Sequence, residues 1–101
     1  MTLNIKLNGE ASQGEQTLTR NGTFIRVEAE LLSDGTPMPP DTFEYKWSFN
    51  PPGAQNQDRD WSKVNINTYY PPQELQYQVM TIQVRGEGRR WYRNVHFIIK
   101  E

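Results

Sequence analysis

Apolar residues fall on every second position in several stretches of the chain, which is the period of a strand with one buried face. Leu3, Ile5 and Leu7 alternate with Asn4 and Lys6 before Gly9. Ile25, Val27, Ala29 and Leu31 alternate with Arg26, Glu28 and Glu30 between the turn signals Asn21-Gly22 and Ser33-Asp34-Gly35. Phe43, Tyr45, Trp47 and Phe49 place four rings on one face of a run that Pro51-Pro52-Gly53 ends. So much aromatic area on one side predicts a central core strand with Trp47 inside. Val95, Phe97 and Ile99 predict the last strand.

The segments between these runs are less regular. Thr36 to Asp41 holds three prolines, which cannot donate to a ladder, so a loop is expected there. Ala54 to Asp60 is polar and without period, a second loop, and Val64 and Ile66 hint at a short strand before Tyr69-Tyr70-Pro71-Pro72. Leu75, Tyr77 and Val79 follow one phase while Met80, Ile82 and Val84 follow the other. Either both faces of this strand are covered or a bulge near Val79-Met80 shifts the register, and the bulge is the expectation. Two glycines in Arg85-Gly86-Glu87-Gly88-Arg89-Arg90 predict a hairpin that pairs the last two strands antiparallel. About seven short strands result, and no stretch sustains a helical apolar stripe. Two packed antiparallel sheets account for the pattern, since proline breaks at 37–40, 51–52 and 71–72 suit crossovers between sheets better than the longer strands of a five-stranded barrel.

Composition narrows the function classes. The 101 residues suit one domain spanning 1–101, able to bury roughly 65% of its unfolded surface, and 12 aromatic residues compensate for a modest 35% hydrophobic content. With no cysteine and a single histidine, the chain has no disulfide framework, no thiol nucleophile and no histidine cluster for a metal. Catalysis is therefore not expected, nor a cofactor. No apolar run approaches the ~20 residues of a membrane span, and polar residues interrupt the first positions too often for a signal peptide. The net charge is −1, which argues against nucleic acid held by bulk charge and leaves a protein or a surface glycan as the expected partner.

The run Phe43-Glu44-Tyr45-Lys46-Trp47-Ser48-Phe49-Asn50 resembles the third strand of immunoglobulin-like domains, particularly of the polycystic-kidney-disease type, with Trp47 as the core tryptophan. Leu32-Ser33-Asp34-Gly35-Thr36-Pro37 and the run from Leu75 to Val84 are similar to the turn after the second strand and to the penultimate strand of such domains. The chain departs from that type at Pro51-Pro52-Gly53, where Gly-Asp-Gly is usual, and it lacks the cysteine pair of antibody domains. The resemblance thus implies a cysteine-free, immunoglobulin-like sandwich with its subfamily open. Such domains serve as spacers, adhesion modules, accessories of carbohydrate-active enzymes and protrusions on phage capsids or tails. It implies a non-catalytic binding or structural module, on a virion surface or in a bacterial extracellular protein. A glycan-binding accessory domain and an anion or nucleic-acid binder are the alternatives.

Candidate binding chemistry concentrates in one place. Arg85, Arg89, Arg90 and Arg93 surround Trp91 and Tyr92, and they make the charge uneven: residues 1–50 carry four basic against seven acidic groups, residues 51–101 seven against five. Guanidinium groups beside rings can hold oxyanions bidentately while the rings stack on bases or sugars. Charged hairpins also protect sheet edges, and this blander role is the expectation for Arg89 and Arg90. Trp61, Tyr69 and Tyr70 join Trp91 and Tyr92 as rings beside loops that could form a flat contact surface or cap the open ends of the sandwich. His96 alternates with Val95 and Phe97 and is expected on an outward face. Asp58 and Asp60 could join a loose calcium loop, although Trp61 stands where an EF-hand needs glycine. Asn21-Gly22-Thr23 matches a glycosylation sequon, a pattern short enough that the turn reading prevails.

Overall fold

A computed structural model describes residues 1–20 and 24–101; the Asn21-Gly22 turn and its sequon lie outside the described residues. The described residues form ten strands: β1 (Thr2–Leu7), β2 (Glu10–Ala11), β3 (Glu15–Thr19), β4 (Ile25–Ser33), β5 (Thr36–Pro37), β6 (Glu44–Asn50), β7 (Arg59–Ser62), β8 (Ile66–Tyr69), β9 (Tyr77–Gly86) and β10 (Arg89–Lys100). The one helical turn among the described residues, a 3-10 turn at Pro40–Thr42, begins at a proline because ring-fixed φ suits a first helical position.

The strands make two sheets. In the first the order is β2-β1-β4, and the far edge of β4 is shared by β8 along Ile25 to Glu28 and by β5 at Leu32 and Ser33. Asn65 fills the gap between those two partners, its main chain accepting from Ala29 N–H and its side-chain amide donating to Ala29 C=O. The second sheet runs β3-β10-β9-β6-β7. The all-β sandwich expected from the alternation is what the chain forms, with one parallel pairing, β3 on β10, within it.

Turn chemistry fixes three of the registers. Asn8-Gly9, Asp34-Gly35 and Glu87-Gly88 each have positive φ at both positions, the geometry of a two-residue turn whose twist matches paired strands. They join Leu7 to Glu10, Ser33 to Thr36 and Gly86 to Arg89. The predicted arginine hairpin is thus a two-residue turn between the two longest strands.

The core takes the inward phase of both sheets. Ile5, Val27, Ala29 and Leu31 from the first meet Tyr45, Trp47, Met80, Ile82, Val84, Val95 and Phe97 from the second. Trp47 is 1% exposed, as its position among four alternating rings predicts.

In the first sheet β2 is added and β5 forms inside the Thr36 to Asp41 stretch expected as a loop, and three elements of the second sheet differ from the sequence reading. No bulge interrupts β9, whose pairing with β10 and with β6 runs without a register shift through Val79 and Met80. The inward phase instead continues from Val84, Ile82 and Met80 to the buried Gln78, and Tyr77 faces outward. A polar residue at a core position had disguised a regular strand. Gln78 is tolerated because its amide is satisfied, Oε1 accepting from the Tyr69 hydroxyl at 2.7 Å and Nε2 donating to Pro51 C=O at 2.8 Å. Secondly, β3 inserts one side chain, Leu18, into the core, so its sequence carries no alternation. Thirdly, the polar stretch after Ala54 ends in β7, an edge strand whose register against β6 shifts between Tyr45 and Trp47.

Candidate functional site

Outward residues of β6, β9 and β10 line up in cross-strand rows, because both pairings are in continuous register. The row nearest the Glu87-Gly88 turn is Glu44, Arg85, Arg90; the next is Lys46, Gln83, Tyr92; the third is Ser48, Thr81, Asn94. These are the polar positions of the same alternation that buries Tyr45, Trp47, Ile82 and Val84, so the core pattern itself places them on the solvent face.

The first row is organised by Trp61 of β7. The Arg85 guanidinium carbon lies 4.1 Å from the indole centroid, and that of Arg90 lies 6.0 Å away. Glu44 accepts from Arg85 Nε at 2.9 Å, which fixes the guanidinium plane over the ring. Beside this row opens a groove of about 570 Å³ between Thr42, Glu44, Lys63, Arg85, Arg89 and Arg90. Four cations face one carboxylate there, so the local field is positive on a chain whose net charge is −1. Tyr92, two residues beyond Arg90 on the same face, is 70% exposed.

The candidate surface read from the sequence therefore divides. Arg85, Arg89, Arg90, Tyr92 and Trp61 come together at this end of the second sheet. Trp91 and Arg93 belong to the inward phase of β10: Trp91 packs edge-on against Phe43 with centroids 5.7 Å apart, and Arg93 Nη1 donates to Leu3 C=O at 3.0 Å, tying the two sheets. Tyr69 is not a surface ring. It is 1% exposed and stacks on Phe97 at 4.1 Å and Phe49 at 5.5 Å, because β8 continues through Tyr69 opposite Ile25 and the alternation turns it inward. Burial raises its phenol pKa.

Tyr70 points the other way, into a cleft of about 560 Å³ at the opposite end of the sandwich. Phe24, which the sequence reading passed over, pairs with it at 6.1 Å between centroids; both rings are more than half exposed. The cleft wall is built by backbone clamps. Gln57 Nε2 donates to Tyr70 C=O and its Oε1 accepts from Tyr70 N–H, Arg20 donates to Gln73 and Leu75 carbonyls, and the Ala54 N–H donates to Glu74 and lowers its carboxyl pKa.

The remaining expectations fall on local structure. Asp58 Oδ1 accepts from Phe49 N–H and Asp60 Oδ1 from Trp61 N–H, and no group of three acidic or histidine ligands gathers among the described residues. His96 lies on the outer face, its Nδ1 hydrogen-bonded with the Tyr77 hydroxyl. No described helix is long and apolar enough to cross a membrane. Comparison with protein-family models, with curated proteins and with solved structures finds no match to this chain.

Proposed function

We propose that the chain is a non-catalytic, immunoglobulin-like binding module, part of a phage virion or of a bacterial extracellular protein, which meets its partner through the outer face of the second sheet at the hairpin end. Strand order supports the architectural half of this reading. β1, β4 and β8 share one sheet and β6, β9 and β10 the other, with β7 added beside β6 and the buried Trp47 on β6, the distribution of immunoglobulin-like sandwiches.

The observation that carries the functional half is the Arg85–Trp61–Arg90 group. Arg85 sits on β9, which is paired on both sides, so its charge guards no open edge. Holding two guanidinium groups over one ring contributes little to folding, whereas rigid rings and arginines on a sheet face are what contact surfaces use. Labelled protein incubated with bacterial cells and with purified virions tests the reading. Retention of the natural chain and its loss in Tyr92→Ala are expected; equal retention of both would contradict it.

A glycan-binding accessory role at the other end has one observation in its favour, the exposed Phe24 and Tyr70 rings above a cleft with amide and carboxylate groups on its wall.

A further inference from the structure

The hairpin end carries a like-charge conflict. Arg85 and Arg90 are register partners, and cross-strand partners bring their Cβ atoms to about 4.5–5.5 Å, where like charges repel. Glu44 is the one carboxylate among the described residues that line the groove, and Lys63 and Arg89 add two further cations to it. Glu44 engages Arg85 through Nε and leaves the Nη donors for another acceptor. The Arg85 and Arg90 guanidinium carbons both lie within 6.0 Å of the Trp61 ring centroid, which gathers the two cations at one place on the face, within reach of a single small oxyanion.

Beyond this row the face changes character. Tyr92 is 70% exposed and stands two residues from Arg90, about 7 Å along the strand, a step that one sugar ring and its acidic substituent can bridge. Around it lie groups that exchange hydrogen bonds with hydroxyls: Gln83, Ser48, and Thr81, which donates to Asn94 at 2.7 Å. We propose that this face binds an acidic saccharide, its carboxylate or sulfate held between Arg85 and Arg90 and its ring face stacked on Tyr92. The inference rests on the reading of this face as the contact surface and adds the ligand's chemistry. A nucleic acid fits less well, since the groove cations and Lys46 span two adjacent rows on a chain of net charge −1 and give no longer track for successive phosphates.

Amide chemical shifts of the isotope-labelled chain, titrated with a chondroitin sulfate tetrasaccharide, test it, with neutral cellotetraose, hexaglutamate and hexathymidylate as comparison probes. Shifts confined to the rows around Gln83, Arg85, Arg90 and Tyr92 are expected with the sulfated probe alone. Arg90→Ser should weaken that binding at least about tenfold, the loss of one charge-assisted forked contact. Arg90→Lys should recover only part of it, because an ammonium keeps the charge without the fork. Equal binding of cellotetraose, tighter binding of hexaglutamate or hexathymidylate, shifts centred elsewhere, or no response would each overturn the proposal. If the saccharide response is absent while retention on cells or virions still depends on Tyr92, only this inference fails; if both are absent, the binding reading fails with it.

Discussion

The Tyr69 hydroxyl donates to Gln78 Oε1 at 2.7 Å inside the core, joining β8 of one sheet to β9 of the other. Tyr69 is stacked on Phe97 and Gln78 also donates to Pro51 C=O, so neither partner can turn to water when the other is removed. Gln78→Leu should therefore destabilise the fold by about 1–3 kcal/mol, the cost of leaving buried polar groups unpaired. Tyr69→Phe with Gln78→Leu should cost less than the sum of the single changes, with a coupling of about 0.5–3 kcal/mol in urea unfolding. Strict additivity would mean that the two groups do not interact.

This pair also shows where the sequence was legible and where it was not. Phe43 to Phe49 announces its strand because every inward position is aromatic. The β9 strand hides its period behind one inward glutamine, whose partner Tyr69 is nine residues away and invisible to any local pattern. Tyr69 in turn read as a loop ring, since Pro71-Pro72 follows it and the strand that turns it inward is only four residues long. β3 has one inward side chain and pairs with β10 at the far end of the chain, so no local signal marks it. For the candidate site, Arg85, Arg90, Tyr92 and Trp61 were each visible as residue types. Their meeting depends on the cross-strand register and on β7, an edge strand that carries no alternation.

Gly86 has no room for a side chain. A Cβ there would lie 2.5 Å from Phe43 Cδ1, and Phe43 is buried with Trp91 edge-on against it, so the ring cannot retreat freely. Gly86→Ala should cost about 1–3 kcal/mol by overpacking, measured as a lower urea midpoint at unchanged slope. A neutral result would show that the hairpin shifts easily at this point.

Trp47 fills the space between the sheets at 1% exposure. Trp47→Ala should cost about 3–5 kcal/mol, and a loss within about ±0.5 kcal/mol, the range of surface positions, would contradict its place in the core.

Two phenols make stability depend on alkaline pH. Burial first, and then the Asp41 charge, push the Tyr45 pKa from 10.0 to about 12; burial raises that of Tyr69 as well. The Tyr45 hydroxyl also donates to Pro40 C=O at 2.8 Å, a bond that ionisation would break. Since the folded values lie above the unfolded ones, the unfolded chain loses these protons first. Stability should be level below pH 10 and fall as pH rises from 10 toward 12. Denaturation at pH 9 and 11 measures it, and Tyr45→Phe should show a smaller drop than the natural chain. An identical drop would place the alkaline titration elsewhere.

The central claim is that the hairpin end of the second sheet serves recognition and not folding. Arg89 and Arg90 line the groove and both lie outside the core, so replacing both with Ser removes charge from the face without opening the core. The most direct test measures the thermal midpoint of this double variant together with its retention on the cells or virions that hold the natural chain. An unchanged midpoint with retention reduced at least about tenfold, or about 1.4 kcal/mol, is the expected result. Unchanged retention with lower solubility would contradict the claim, because the arginines would then serve only to keep the free upper edge of β10 from associating.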